Sequence, residues 1–243
     1  MKIKLIISYD GTRFSGWQRI PGKLTLQEKV EDALFKIFRH KVTAYGASRT
    51  DAGVHAEGQV AHFIPLQTHK KINMVHSMNR ELPEDIRILA AEVVPDSFHA
   101  RESAKSKNYT YNILNTEKPI KKYHSTSWWR SETFDVNRMN EACQFIIGEH
   151  DFTSFQSSGS VTSSTMRTIL EASWEQQDLF LNFNIHGTGF LKYMIRNLVG
   201  TLCWVGIGKI SPDDFKKILD KKNRSFAGQT APASGLSLIK VNY

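Results

Sequence analysis

Cysteine is almost absent: Cys143 and Cys203 are the two in 243 residues. Both lie in apolar, helix-like runs, and no CxxC occurs, so a cysteine-built zinc site is not expected. Such sparing use fits a reducing, cytoplasmic compartment. The sequence also lacks GxGxxG, a P-loop and HExxH. GTGFLKYMIRN resembles a phosphate loop only superficially, since it has no Lys-Ser or Lys-Thr end. No histidines or carboxylates share a metal-ligand spacing. Any chemistry is therefore expected to need neither metal nor nucleotide cofactor. Long apolar runs are missing too. FLKYMIRNLVGTLCWVGIG is broken by Lys192 and Arg196, too polar for a membrane span. MKIKLIISYDG reaches Asp10 too soon for a signal peptide and reads as a strand.

What is present is a globular composition, with 40% hydrophobic and 23% charged residues and 14 phenylalanines. The length suits one large core or two smaller ones. The formal net charge is +8 and the pI is about 9.4. That balance favours an anionic partner: nucleic acid, an anionic membrane surface or a phosphorylated small molecule.

Periodicity predicts strands over 3–9, 42–48, 59–64 and 85–95, and helices over 25–38 and 68–82. Thr25 and Glu28 suggest a capping box on the first helix. The glycine-rich turn DGTRFSGWQ carries Phe14 and Trp17, which read as exposed. The order β, α, β, β, α, β by residue 95 matches a split βαβ module of ferredoxin-like type. A second half follows: a strand over 105–114, a helix over 135–150, a hairpin around 176–178, helices over 190–205 and 211–222, and a final strand over 235–243. The expected fold is α+β: two ferredoxin-like (RRM-like) modules, 1–104 and 105–243. Their mainly antiparallel sheets would lie side by side, with helices on one face. The Ser/Gly-rich segment 159–164 reads as a loop.

The segment SRTDAGVHA holds the clearest candidate chemistry. Arg49 and Asp51 are two positions apart, so in extended backbone they share a side. A guanidinium can hold a carboxylate through two hydrogen bonds. On spacing alone this is a turn closed by an ion pair, or a catalytic carboxylate aimed by its counter-ion. His55 has no serine or cysteine nucleophile near it and reads as a packing or backbone-bonding histidine. KSKNYTYNI sets Tyr109 and Tyr111 on one strand face, with Lys105 and Lys107 alongside. Aromatics beside cations suit a flipped base and its phosphates, and also suit half-buried core tyrosines. Arg101 adds charge upstream. Lys192 and Arg196, four apart, are expected on one helix face.

YDGTRFSGWQ, SRTDAGVHAEGQVAHF, FHARESAKSKNYTYNI, HDFTSF, TMRTI, GTGFLKYMIRNLVG and APASGLSLIKVNY together resemble the tRNA pseudouridine synthase A family. The resemblance is collinear and spans essentially the whole chain. It implies isomerisation of uridine to pseudouridine at positions 38, 39 and 40 of the tRNA anticodon arm, without cofactor. It implies Asp51 as the catalytic aspartate, Arg49 as its paired arginine, and Tyr109 stacked on the target base. Tyr111 would be a companion aromatic and Arg196 a basic residue near the cleft. It also implies a homodimer, with one tRNA touching both subunits. Ser48 departs from the family's usual glycine before the arginine.

Overall fold

The computed structural model describes residues 1–66 and 73–243. It is an α+β fold in which ten strands and five α-helices are seen among the described residues. The chain divides into two compact units, residues 1–105 with 237–243, and residues 106–236.

In the first unit β1 (Lys2–Tyr9) is flanked by antiparallel β4 (Ile86–Val94) and β3 (His55–Phe63). The short β2 (Tyr45–Gly46) pairs with β3, and β10 (Leu236–Asn242) runs parallel to it at Ser237 and Leu238. Ile3, Leu5, Ile7 and Tyr9 are buried, while Lys4, Ile6 and Ser8 between them are half-buried. This is the period-2 alternation of a sheet with one fully covered face. α1 (Leu26–Phe38) buries Leu26, Val30 and Leu34, and packs on α2 (Met74–Glu81). Asn79 of α2 clamps β4, donating to the Ile88 carbonyl and accepting from its amide at 2.9 and 2.8 Å.

The second unit pairs β5 (Ser106–Asn115) with antiparallel β9 (Phe180–Gly187) and parallel β6 (Trp128–Arg130). β8 (Met166–Gln177) and β7 (Gly148–Asp151) continue antiparallel beyond β9. α3 (Val136–Gln144), α4 (Met194–Gly206) and α5 (Pro212–Asp220) complete it. α3 packs on β8, and Asn140 clamps the Trp174 backbone at 2.9 and 2.7 Å. Ser211 and Asp214 form a full capping box on α5.

Several expectations change. Phe14 and Trp17 are each only 2% exposed. Gly46 explains Trp17, because a side chain there would lie 2.4 Å from the indole, so the ring packs over bare backbone. Thr25 takes the cap position of α1 but makes no capping hydrogen bond, and its buried hydroxyl has no partner among the described residues. The strand expected over 42–48 shrinks to two residues. The last strand, grouped by sequence with 105–243, joins the first unit's sheet through residues 237–243. Local periodicity identifies a strand but not its partner. The start of the helix expected over 68–82 lies outside the described residues.

Candidate functional site

The segment carrying Asp51 is held by its backbone from two directions. Gln59, fully buried in β3, accepts from the Ser48 amide at 3.2 Å and donates to the Ser48 carbonyl at 2.8 Å. The Thr50 hydroxyl meets the Tyr9 phenol at 2.8 Å in the interior. The glycine-rich turn after β1 lies against the same segment. Trp17 donates its amide to the Thr50 carbonyl at 3.1 Å, and Gly53 donates to the Phe14 carbonyl at 3.2 Å.

That contact demands glycine twice. A Cβ on Gly11 would sit 2.0 Å from the Val54 carbonyl oxygen, and one on Gly16 would sit 2.7 Å from the Thr50 oxygen. Gly53, at φ +78, takes the left-handed geometry that turns the chain after Asp51. Thr50 and Val54 are buried and Asp51 between them is half-buried. The fold thus fixes the backbone on either side of one carboxylate and leaves that carboxylate partly open. YDGTRFSGWQ and SRTDAGVHA are two halves of one built feature.

Arg49 stands exposed and Asp51 is half-buried. The two-residue spacing holds only if 49–51 is a regular strand, and it is irregular backbone instead. Arg49 lies near Arg101, whose guanidinium is lowered from its ordinary value by partial burial and then by the Arg49 charge. His55 is buried, and its Nδ1 accepts from the Gly11 amide at 3.2 Å, also 3.2 Å from Asp10 Oδ1. It is a backbone-bonding histidine. Asp10 accepts from the Thr12 amide and hydroxyl at 2.9 and 2.5 Å. Burial alone would raise its pKa; the Thr12 bonds and His55 lower it overall.

Arg101 belongs to a segment that sequence patterns left unplaced. Lys2 donates to the carbonyls of Asp96 and Phe98, at 2.7 and 2.5 Å. His62 accepts from the Ala100 amide at 3.0 Å, and Tyr243 donates to the Ala100 carbonyl at 2.7 Å. Burial and the nearby His99 and Lys2 charges hold His62 down at about 4, so it is a neutral acceptor. Lys105 is exposed at the end of this segment.

In the second unit, Tyr109 and Tyr111 face the same side of β5, opposite Ile185 and Phe183. Tyr109 is 7% exposed and meets Phe190 edge-on at 5.3 Å. Tyr111 has no exposure, donates its hydroxyl to the Pro232 carbonyl at 2.9 Å, and is pushed well above the ordinary phenol pKa by burial. Tyr111 is therefore a core residue with no ring face left for RNA. Lys107 is half-buried on the same strand.

Lys192 and Arg196 do not share a helix face by i,i+4 spacing. α4 begins at Met194, and Lys192 sits in the turn before it. They meet instead through Tyr193, held at φ 63. The Lys192 ammonium lies 5.2 Å and the Arg196 guanidinium 4.7 Å from its ring centre. Arg196 Nε also donates to the Ala231 carbonyl at 2.7 Å.

The 224–231 loop that supplies this carbonyl is anchored by a polar cluster that sequence patterns did not place. Fully buried Asn197 donates to the Phe155 carbonyl at 2.7 Å and accepts from Arg224 at 3.1 Å and Thr230 at 2.6 Å. Thr201 accepts from the Gly228 amide at 2.9 Å. A Cβ on Gly200 would lie 1.8 Å from the Gln229 oxygen. Buried polar side chains on an otherwise apolar helix were the one available signal. Among the described residues no helix is long and apolar enough to cross a membrane, and no group of side chains could hold a metal.

Comparison with known proteins adds an independent line. A family model described as tRNA pseudouridine synthase matches residues 5–101 and 142–243. The chain is similar to tRNA pseudouridine synthase A of Acetivibrio thermocellus, 43% identical over 241 residues, covering 99% of each chain. It is likewise similar to proteins of that name from a Thermoanaerobacter species, 42% identical over 244 residues, and from Clostridium kluyveri, 39% identical over 241. Both cover 99% of each chain.

Proposed function

We propose, since this chain belongs to the tRNA pseudouridine synthase family and is an isomerase, that Asp51 converts uridine to pseudouridine in the anticodon arm of tRNA, at positions 38, 39 and 40. The observation that carries the assignment is the half-buried Asp51 carboxylate on a backbone clamped from both sides. A carboxylate that only closed a turn would not need such a frame.

The reaction breaks the bond from uracil N1 to ribose C1′ and forms one from C5 to C1′. N1 gains a proton and C5 loses one, so nothing is oxidised and no group is carried away. A stacked target must first be drawn out, at a cost of a few kcal/mol. Phosphate contacts to exposed Arg49, Arg101 and Lys105 offset that cost. Asp51 then acts on the ribosyl-uracil unit, by attack or by starting elimination. Tyr109 holds the detached uracil by stacking while it turns. Lys192 and Arg196 add charge for the backbone. Tyr111 supports the strand beneath and does not touch RNA.

We read the two units as ferredoxin-like modules in a homodimer. Supporting the module reading, the first unit has sheet order β4-β1-β3-β2, as a split βαβ module requires. An asparagine clamp joins helix to strand in both units.

The test is tritium release from tRNA carrying C5-tritiated uridine. The wild-type protein should release tritium, and Asp51→Asn should release none while binding tRNA with similar affinity. Release by Asp51→Asn at a tenth of the wild-type rate or more would overturn the assignment of Asp51. Equal release from tRNA lacking the anticodon arm would overturn the choice of arm.

A further inference from the structure

One aromatic group in the first unit has no part in that chemistry. Tyr45 of β2 stands opposite His62 of β3, and cross-strand partners share a sheet face. Their rings stack at 5.2 Å with 19° between planes. His99 meets His62 edge-on at 4.7 Å and lies 6.0 Å from Tyr45. Both imidazoles are fixed. His62 accepts from the Ala100 amide, and His99 Nδ1 accepts from the Arg101 and Glu102 amides at 3.3 and 3.2 Å. One face of the Tyr45 ring is taken by His62, yet Tyr45 remains 49% exposed. An aromatic ring held flat by a neighbour, with its outer face open to solvent, is already in the geometry that binds a base.

The surroundings select the ligand. The backbone that fixes the imidazoles carries Arg101, and Arg101 lies near Arg49. A stacking surface beside two guanidiniums suits a nucleotide, whose base has a π face and whose phosphate is anionic. An apolar protein partner would gain nothing from the arginines. A free phosphate would not need the ring.

We infer that Tyr45, backed by His62 and His99, is a stacking site for one unpaired nucleotide of the RNA substrate, distinct from the uridine that reacts. The inference rests on the proposed RNA function. It deepens that reading by placing a second nucleotide contact on the first unit. Because the site binds without touching reacting atoms, it acts on affinity and leaves the rate constant of bound substrate alone.

The experiment compares wild type, Tyr45→Phe, Tyr45→Leu and Tyr45→Ala by tRNA titration and by single-turnover tritium release at saturating tRNA. Tyr45→Phe should bind within twofold of wild type. Tyr45→Ala and Tyr45→Leu should each bind about tenfold more weakly, with saturated rates within twofold of wild type. In Tyr45→Trp, added RNA should quench the new indole fluorescence. Leucine keeps the apolar bulk, so equal binding by Tyr45→Leu and wild type would overturn the stacking site. Unchanged affinity with a slowed rate would overturn it as well. A change in sedimentation of Tyr45→Ala without RNA, with affinity per active site unchanged, would assign the ring to contact between copies instead. If the wild-type protein binds tRNA but releases no tritium, the proposed function fails, whereas the affinity comparison still decides on Tyr45.

Discussion

Two loop systems, one per unit, present charged side chains by the same device and finish it differently. In the first, the turn after β1 lies on the 48–54 segment through Gly11 and Gly16. In the second, the 224–231 loop lies on α4 through Gly200 and Gly228. Each contact brings backbone to backbone without a side chain between. The first is finished with neutral groups, Gln59, Thr50 and Tyr9, and leaves a carboxylate half-open. The second is finished with a cation inside the clamp, Arg224 on Asn197, and presents a second cation, Arg196, against a ring. A frame of neutral bonds aims a single charge without adding a field of its own. A frame containing arginine adds positive potential to a region that already carries Lys192.

The largest effect should come from changing the reach of the presented groups. Asp51→Glu keeps the charge but moves the carboxylate by one methylene. The clamped backbone cannot retreat, and a shift of about 1 Å can cost roughly a hundredfold in rate. Single-turnover release should fall by at least that factor, with tRNA affinity unchanged. Arg196→Lys loses the Nε bond to Ala231 and the flat contact with Tyr193. Its loss should be nearer tenfold. If Asp51→Glu were the milder of the two, the carboxylate frame would not be rigid in the way its hydrogen bonds imply.

Next come the glycine contacts. Gly200→Ala and Gly11→Ala would place a methyl 1.8 and 2.0 Å from a carbonyl oxygen. Overpacking of this kind costs about 1–3 kcal/mol, or several degrees in Tm for a chain of this size. Thermal unfolding should show both losses. Gly22→Ala, with nothing within 4 Å of its added methyl, controls for the general effect of the substitution, though its φ of +73 leaves a small strain of its own. A Tm for Gly200→Ala equal to that of Gly22→Ala would mean the 224–231 loop is free to move off α4.

The clamps themselves should separate by charge. Asn197→Ala strands the Phe155 carbonyl and removes one of the hydrogen bonds of Arg224, which keeps those to Ala227 and Thr230. Hydrogen bonds to charged groups contribute about 1.5–3 kcal/mol, against roughly 1 for neutral ones. Urea unfolding should therefore show a larger loss for Asn197→Ala than for Gln59→Ala, whose partners are all neutral. Equal losses would remove the distinction between the two frames.

Much of this was legible in the chain and some was not, for identifiable reasons. Local patterning is enough for β1, for the hairpin of β8 and β9, and for α5. Those signals are local, and local geometry decides them. The Thr25 cap failed because a threonine before a helix marks a position, not a bond: burial closed round its hydroxyl without supplying a partner. Phe14 and Trp17 are buried against expectation because glycine-rich turns usually lie at the surface, whereas this one lies on another segment. The shared side expected for Arg49 and Asp51 rests on strand spacing, and residues 49–51 are irregular backbone. Tyr111 could not be told from Tyr109 by pattern, since the two share a face. What separates them is the Pro232 carbonyl, 121 residues away. Long-range partners of this kind leave no periodic trace.

The smallest effect belongs to a turn the units share. Asp10-Gly-Thr12 and Asp151-Phe-Thr153 both fold so that the aspartate accepts from the amide and hydroxyl of the threonine two residues on. Burial would raise the Asp151 carboxyl, but the Thr153 and Thr165 hydroxyls, the Thr153 amide and Lys222 bring it to about 2. Because the folded value is lowered, the unfolded chain binds this proton at higher pH. The stabilisation is complete above about pH 4 and is lost as pH falls towards 2. Asp151→Asn should cost on the order of 1 kcal/mol at neutral pH, discounted for its partial exposure, and nothing near pH 2. Asp10 is lowered too, but it is more exposed and has no lysine partner. Urea unfolding across that pH range should show the same sign and a smaller amplitude for Asp10→Asn. A larger amplitude at Asp10 would mean that the charges beside it, Arg13 among them, outweigh the Lys222 contact at Asp151.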